Sequence, residues 1–584
     1  MGNNLKANFL SFRSSRKFTN IWYFLVLIIF FLFIIFPTTY VLIYVFTRIE
    51  EIINFFNLYP SSPDIIFRAL LMSFSVSIFV TIIDLVFGLV LAWILANKSF
   101  RGKELVNTLI ESPLAIPTAG LGFSVALFWA KTQGIDIIPF GALQIVDDVW
   151  LLIVLFHFTT TFPYVVRSLT EILQEIDKSY EIAALTSGAS KLTAARTITL
   201  PMFRSGFSTA AILAMAKSLS DTGGVVTLLT TFKGSRLDES DQIQGTALID
   251  IWKGVTKTTA SAIERAQYEA ALALVSFLMI IIALILLFFI KFSIRNINSP
   301  TKKVYPKIEA RLSRGIYVHF RNSISTGFIV LFVFIPSFFI ISYLVDIKIP
   351  ANFDWNPFFG SIAISFFVAF VAILFNIILG IPIAIFITRK KSVLSPLIDA
   401  IIDIPYLVPS AAVGISVFLF WKSSISPLTI TCLFGYCIAI PDIILVIFAH
   451  MAMTFPFIAR NVVGGLQEFP ESIEETARSL GATPLQVFYQ ITLPSIKGSV
   501  LAGAVMGFTR SVGETGATLA VSSLETAPVY IVNQIKNDQN YSVAAMATLL
   551  LMIIGYIFIF TTKAIINSGQ LRKDFKILRR KLRL

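Results

Sequence analysis

Charge is scarce in this sequence. Of 584 residues only 14% are charged, 56% are hydrophobic, and the mean hydropathy is +0.80. Soluble proteins carry roughly a quarter charged residues. A soluble enzyme, a nucleic-acid module and a disordered scaffold are therefore excluded. Cysteine is almost absent. Cys432 and Cys437 are the two present, so there is no disulfide framework. They fall in or near an outer loop, where one disulfide is conceivable and two unpaired apolar thiols are the simpler reading. Histidine occurs three times, and no Cys/His metal cluster is formed by spacing. The phosphate-binding pattern GxxxxGK[ST] is missing. The chain thus cannot hydrolyse ATP through a P-loop of its own. What abounds is apolar: 55 Phe on a background of Ile and Leu point to lipid as the main solvent.

Twelve apolar stretches read as candidate spans, at about 22–46, 70–96, 105–130, 149–166, 205–231, 269–291, 325–346, 362–388, 394–421, 440–459, 498–522 and 543–565. Each approaches the roughly 20 residues that cross a bilayer core as a helix. Helices are required because lipid offers backbone polar groups no partner. The first stretch is too long for a signal-peptide core and is read as a retained anchor. The net charge of +13 is concentrated beside the spans. The N-terminus carries Lys6, Arg13, Arg16 and Lys17, the segment 291–321 carries eight basic residues against Glu309, and the tail carries seven against Asp574. Basic short loops stay inside. Both termini and the central linker are therefore expected to be cytoplasmic, with an even number of spans in each half. Contact with anionic lipid explains these runs better than nucleic acid does.

The chain is a tandem duplication. Residues 161–201 align with 454–494 at a constant offset of 293, without a gap, and 17 of 41 positions are identical. The register runs upstream to His157 and His450. Downstream it pairs Lys217 with Arg510, Asp221 with Glu514, and Gly223 with Gly516. An earlier block, Glu111 to Pro117, matches Asp403 to Pro409 at offset 292, so one residue separates the registers. Two six-span halves that both start inside imply parallel repeats about an axis along the membrane normal, with a path between them. The halves are read as 1–291 and 323–584, joined by a basic linker at 292–322.

The best-matched region is polar, between spans four and five of each half. Glu171 to Ser187 is helix-compatible, Gly188 can end that helix in a left-handed conformation, and Ser190 can cap a second one. In the other copy Gly481 stops, Thr483 caps and Pro484 takes the first helical position. The expected product is a compact cytoplasmic knob able to enter a groove on another protein.

These segments resemble the EAA loop of binding-protein-dependent ABC importer permeases. The resemblance is carried by Glu181, Ala184, Gly188 and Pro201 in the first half, and by Glu474, Ala477, Gly481 and Pro494 in the second. It implies an all-α membrane protein of two fused type I permease halves, whose loops dock on ATP-binding subunits. The Pro-x-x-x-Pro blocks, the Thr-Phe-Pro-x-x-x-Arg segments at 161–167 and 454–460, and Gly513-Glu-Thr-Gly-Ala-Thr518 look most like the sulfate, molybdate and tungstate group. Thr515 and the Ser220-Asp-Thr-Gly-Gly224 segment depart from that group. Fusion of halves is more typical of iron(III) and thiamine permeases.

Polar residues inside spans are rare and often functional. Lys217 and Asp221, like Arg510 and Glu514, are four apart, so each pair can share one helix face. Each is either a neutralised packing pair or a cation facing the path of an anion. His157 and His450 either bond a neighbouring helix or line the path. Pro113, Pro117, Pro405 and Pro409 break spans three and nine, for packing or to line a gate. No metal site is suggested.

The expected protein is the permease of an ATP-driven importer at a prokaryotic cell membrane. By resemblance its partners are two ATP-binding subunits, which would hold ATP and magnesium, and an extracytoplasmic solute-binding protein. The chain itself would hold no cofactor and catalyse no covalent step. The substrate expected is an oxyanion such as sulfate, molybdate or tungstate, with iron(III), thiamine or phosphate as alternatives. An ion-coupled secondary transporter is the rival class, opposed by the repeated knob. Nothing resembles a channel's selectivity filter.

Overall fold

The computed structural model describes residues 16–98, 103–131, 143–234, 237–239, 241–259, 261–296, 305–312, 315–346, 349, 353–390, 392–422, 432–433, 436–437, 440–537, 540–558 and 560–561. These residues are helical apart from loops and one short hairpin, Cys432–Leu433 paired antiparallel with Tyr436–Cys437. The side chains of Cys432 and Cys437 lie outside the described residues, and so does the question of their pairing. Lys6, Arg13 and the basic tail also lie outside them.

Among the described residues nine helices are long and apolar enough to span a membrane. They are span one at Ile21–Thr39, span two at Ser62–Asn97, span four at Val149–Gln174, span six at Ala262–Ile290, span seven at Ile316–Ser342, span eight at Trp355–Arg389, span ten at Asp442–Glu468, span eleven at Pro484–Val512 and span twelve at Tyr541–Phe558. Two more are bent pairs: span five, Lys191–Met202 with Gly206–Ser220 at 71°, and span nine, Leu394–Leu407 with Ser410–Lys422 at 106°. Span three holds a shorter apolar helix, Thr118–Trp129. Outward-facing residues such as Phe67, Phe288 and Phe370 are 64%, 72% and 63% exposed, as a lipid-facing surface requires.

Proline explains several of the breaks. In span three the helix Lys103–Glu111 gives way to a tight turn at Ser112–Ala115, and Pro117 (ψ 139°) starts a new helix at Thr118. Pro405 and Pro409 bound the corresponding break in span nine. Pro37, Pro201, Pro336 and Pro494 each follow a five-residue π-turn. Such a widened turn absorbs the missing N–H and the ring clash. Spans five and eleven, read as continuous to 231 and 522, are interrupted: helix stops at Ser220 and Val512 and restarts at Gly223 and Gly516. The helix expected over Glu171 to Ser187 is also two pieces. Span four's helix runs on to Glu175, and Ser179–Thr186 is separate, because the Asp177 carboxylate accepts from the Ser179 N–H and holds a turn between them.

The halves are interleaved. Span one packs on the second half: the Phe33 ring stacks on Trp421, and just past the span Val41 N donates to Ser416 Oγ at 3.0 Å. Span seven packs on the first half in the same way: Ile340 N donates to Ser124 Oγ at 2.9 Å, and Phe332 stacks on Trp129. Ser124 and Trp129 are the repeat equivalents of Ser416 and Trp421. The reciprocity shows two parallel repeats that exchange their first spans.

Candidate functional site

The breaks of spans five and eleven meet at the centre of the molecule. A Cβ added to Gly223 would lie 2.2 Å from Thr515 Cβ, and one added to Gly516 would lie 2.7 Å from Thr222 Cβ. Each glycine thus receives the threonine of the other half. Around this crossing Ser410 Oγ donates to Ser220 O at 2.6 Å, and Thr118 Oγ1 lies 3.5 Å from Thr515 Oγ1. Ser410 and Thr118 are equivalents in spans nine and three. The pseudo-twofold axis runs between them.

Beside this crossing the two basic residues enter one cavity. Lys217 and Arg510 line it together with Pro113, Thr118, Thr160, Tyr164, Thr509 and Gly513. Each is paired within its own half: Lys217 Nζ with Asp221 Oδ2 at 2.9 Å, and Arg510 Nη1 with Glu514 Oε2 at 2.6 Å. Neither acid continues the helix that carries its cation. Asp221 is extended (φ −86°, ψ 105°) just past the helix end, and Glu514 also caps the next helix by accepting from Ala517 N at 3.0 Å. The pairing expected from the spacing forms, but across a break. All four side chains are nearly buried, with exposures of 6%, 2%, 12% and 3%. Tyr164, Tyr406 and Asp221 also lie within the field of Arg510.

The remaining sequence candidates divide. Pro117 borders an adjoining apolar cavity with Phe366, Phe508 and Phe558. Pro409, His157 and His450 are buried and are not among the residues that line the cavity. His450 is held between Ser511 Oγ (2.7 Å) and Thr518 Oγ1 (2.9 Å), and His157 Nε2 meets Gln244 Oε1 at 3.1 Å. Among the described residues no three His, Cys, Asp or Glu are placed to hold a metal ion.

The two polar segments fold as knobs. Gly188 and Gly481 have φ of +90° and +91° and end the helices Ser179–Thr186 and Glu471–Ser479. Ser190 accepts from Thr193 N, and Thr483 forms a reciprocal cap with Gln486. Tyr180, Ile182, Ile473 and Tyr489 are exposed, and Leu480 is 84% exposed, an apolar surface on polar segments. Glu474 does not join it. It is buried, accepting from Thr492 Oγ1 at 2.9 Å and from Arg389 Nε at 3.3 Å. It ties the knob to the end of span eight. The first half has Asn97 where the second has Arg389, and Glu181 shares a small cavity with Asn97 and Thr199. Ala184, Ala477 and Pro201 are partly covered and Pro494 is exposed.

The model of the family described as "Binding-protein-dependent transport system inner membrane component" matches residues 84–303 and again 376–569. The chain belongs to this family. The permease is 30% identical over 221 residues to the sulfate transport system permease protein CysT of Salmonella typhimurium, covering 36% of this chain and 77% of that one. It is 28% identical over 237 residues to the molybdate/tungstate transport system permease protein WtpB of Pyrococcus furiosus, covering 40% of this chain and 90% of the relative. With the sulfate transport system permease protein CysW of Synechococcus elongatus it shares 30% over 186 residues, 31% of this chain and 64% of that one.

Some residues of the permease's sites were not legible in the sequence. Thr160 and Tyr164 reach the cavity from span four, and only the tertiary arrangement shows it. Glu309, which read as a stray acid in the linker, joins the helix Pro306–Leu312 to the first knob. It accepts from Thr193 Oγ1 and Arg196 Nη2, both at 2.5 Å. Those bonds, the Thr193 hydroxyl first, hold its carboxylate below the usual glutamate range. The second knob has Gln486 and Tyr489 at the equivalent places, so this contact has no counterpart there. The available signal was a lone acid in a basic linker, with Thr193 and Arg196 in the first knob replaced by Gln486 and Tyr489 in the second.

Proposed function

We propose that the permease forms the whole transmembrane path of an ATP-driven importer for a tetrahedral oxyanion such as sulfate, molybdate or tungstate. The observation that carries the reading is the single cavity into which each half sends one basic side chain, Lys217 and Arg510. An oxyanion leaving water needs compensating charge, since burial alone costs several kcal/mol. Two cations supply it. Their paired acids, Asp221 and Glu514, keep the site from holding the anion too tightly for release. The names of the relatives support the same class of substrate.

The motor in this reading is a pair of separate ATP-binding subunits seated on the two knobs, where exposed Ile182, Leu480 and Tyr489 supply apolar contact. The fixed hydrogen bonds of Glu474 would carry the motion of the second knob into span eight. An extracytoplasmic binding protein would deliver the anion. Both termini and the linker face the cytoplasm. The test is uptake into proteoliposomes holding the permease with its ATP-binding subunits and binding protein. ATP-dependent accumulation of labelled sulfate, molybdate or tungstate is expected. Accumulation of iron(III) or thiamine in place of any oxyanion would overturn the substrate, and uptake without ATP would overturn the mechanism.

A further inference from the structure

The two halves place an acid and an amide at one position. Span two carries Asp84, and span eight carries Asn376 at the equivalent place, 292 residues on. Both are fully buried, and each meets the threonine of its half's Thr-Phe-Pro segment. In the second half the hydrogens are unambiguous. Asn376 Nδ2 donates to Thr454 Oγ1 and to Met451 O, both at 2.9 Å, and Thr454 Oγ1 donates to His450 O at 2.7 Å. In the first half Thr161 Oγ1 lies 2.7 Å from His157 O and in close contact with Asp84 Oδ2.

A hydroxyl carries one hydrogen, and a carbonyl oxygen carries none. In the second half the equivalent threonine gives its one hydrogen to His450 O, and on that pattern the Thr161 hydrogen is assigned to His157 O. The hydrogen between Thr161 and Asp84 then belongs to Asp84. The other oxygens agree. Asp84 Oδ1 and Asn376 Oδ1 both lack a partner among the described residues, as the carbonyl oxygens of an acid and an amide in the same seat. No described cation faces Asp84. Lys217 pairs with Asp221, and the His157 ring is turned to Gln244. An unpaired carboxylate buried at that depth is strongly disfavoured.

We propose that Asp84 is a permanently protonated carboxylic acid that serves as a hydrogen-bond donor, positioning the turn of span four that presents Thr160 and Tyr164 to the cavity. Its neutrality also keeps a negative charge away from the route of an anion. That second consequence rests on the oxyanion reading, but the protonation does not.

The test uses the purified full-length permease. Its infrared spectrum should contain a protonated-carboxyl C=O band that is absent from Asp84→Asn and unchanged between acidic and mildly alkaline buffer. Asn376→Asp should gain a second such band. Reconstituted Asp84→Asn should keep wild-type uptake and melting temperature, while Asp84→Leu, which cannot donate, should lose uptake. Absence of an Asp84-dependent band overturns the protonation. Loss of uptake in Asp84→Asn to the level of Asp84→Leu, or full uptake in Asp84→Leu, overturns the positioning role. A band found in a permease that carries no oxyanion would leave Asp84 as proposed and sink the substrate reading alone.

Discussion

Gly188 and Gly481 owe their place to backbone conformation, and Gly223 to crowding. A Cβ at either of the first two would meet nothing within 4 Å, yet φ near +90° penalises any side chain. The left-handed region costs an L-residue roughly 1–2 kcal/mol. A Gly188→Val, Gly481→Val double variant should fold and insert but lose ATP-driven uptake and co-purify poorly with its ATP-binding subunits. Full uptake with normal co-purification would refute the docking role. Gly223→Ala should act on folding instead, because its Cβ would press on Thr515 Cβ at 2.2 Å. Overpacking of this kind costs about 1–3 kcal/mol, visible as a lower melting temperature of the purified protein. An unchanged melting temperature would contradict the crossing described at the axis. The sequence exposed the first kind of glycine, since a glycine between two helix patterns marks a stop. It did not reveal why Gly223 recurs, because its neighbour lies almost 300 residues away.

The elements were legible wherever lipid or proline dictates them. All twelve apolar stretches contain helix, and the breaks at Pro117 and Pro409 stand where the ring forbids continuation. The interruptions after Ser220 and Val512 were hidden, because Asp221 and Glu514 at i+4 imitate an uninterrupted helix pair. The linker helix Pro306–Leu312 was hidden too, since seven residues carry little periodic signal. Its attachment through Glu309 has a definite pH dependence. The folded value lies below the ordinary 4.5, so the contribution is complete above that value and is lost as pH falls through the lowered one. A spin label on Lys307 should thus keep constant mobility from alkaline pH down to about pH 5 and loosen only in stronger acid. Glu309→Ala should leave it mobile throughout. Loosening at neutral pH, or an unchanged label in Glu309→Ala, would contradict the clamp.

At the scale of the molecule, the duplication predicted two parallel repeats but not their exchange of first spans. Spans one and seven share only a sparse pattern, including Pro37 and Pro336, 299 residues apart and outside both matched registers. Their packing partners became visible only with the fold. Cysteines at Val41 and Ser416 on a cysteine-free background should cross-link readily, because the Val41 N–H reaches Ser416 Oγ at 3.0 Å. Failure of that cross-link in assembled protein would argue against the exchange. The exchange matters for function because neither half then encloses the central cavity alone, and Lys217 and Arg510 are brought together only by the pair. Removing one partner of a buried ion pair costs roughly 3–5 kcal/mol by itself, so single substitutions would confuse folding with transport. The direct measurement is oxyanion uptake by the variant carrying Lys217→Gln, Asp221→Asn, Arg510→Gln and Glu514→Gln together. It should assemble with its partners and fail to transport sulfate, molybdate or tungstate, whereas assembly with uptake at the normal rate would show that these four residues are packing pairs and that the anion passes elsewhere.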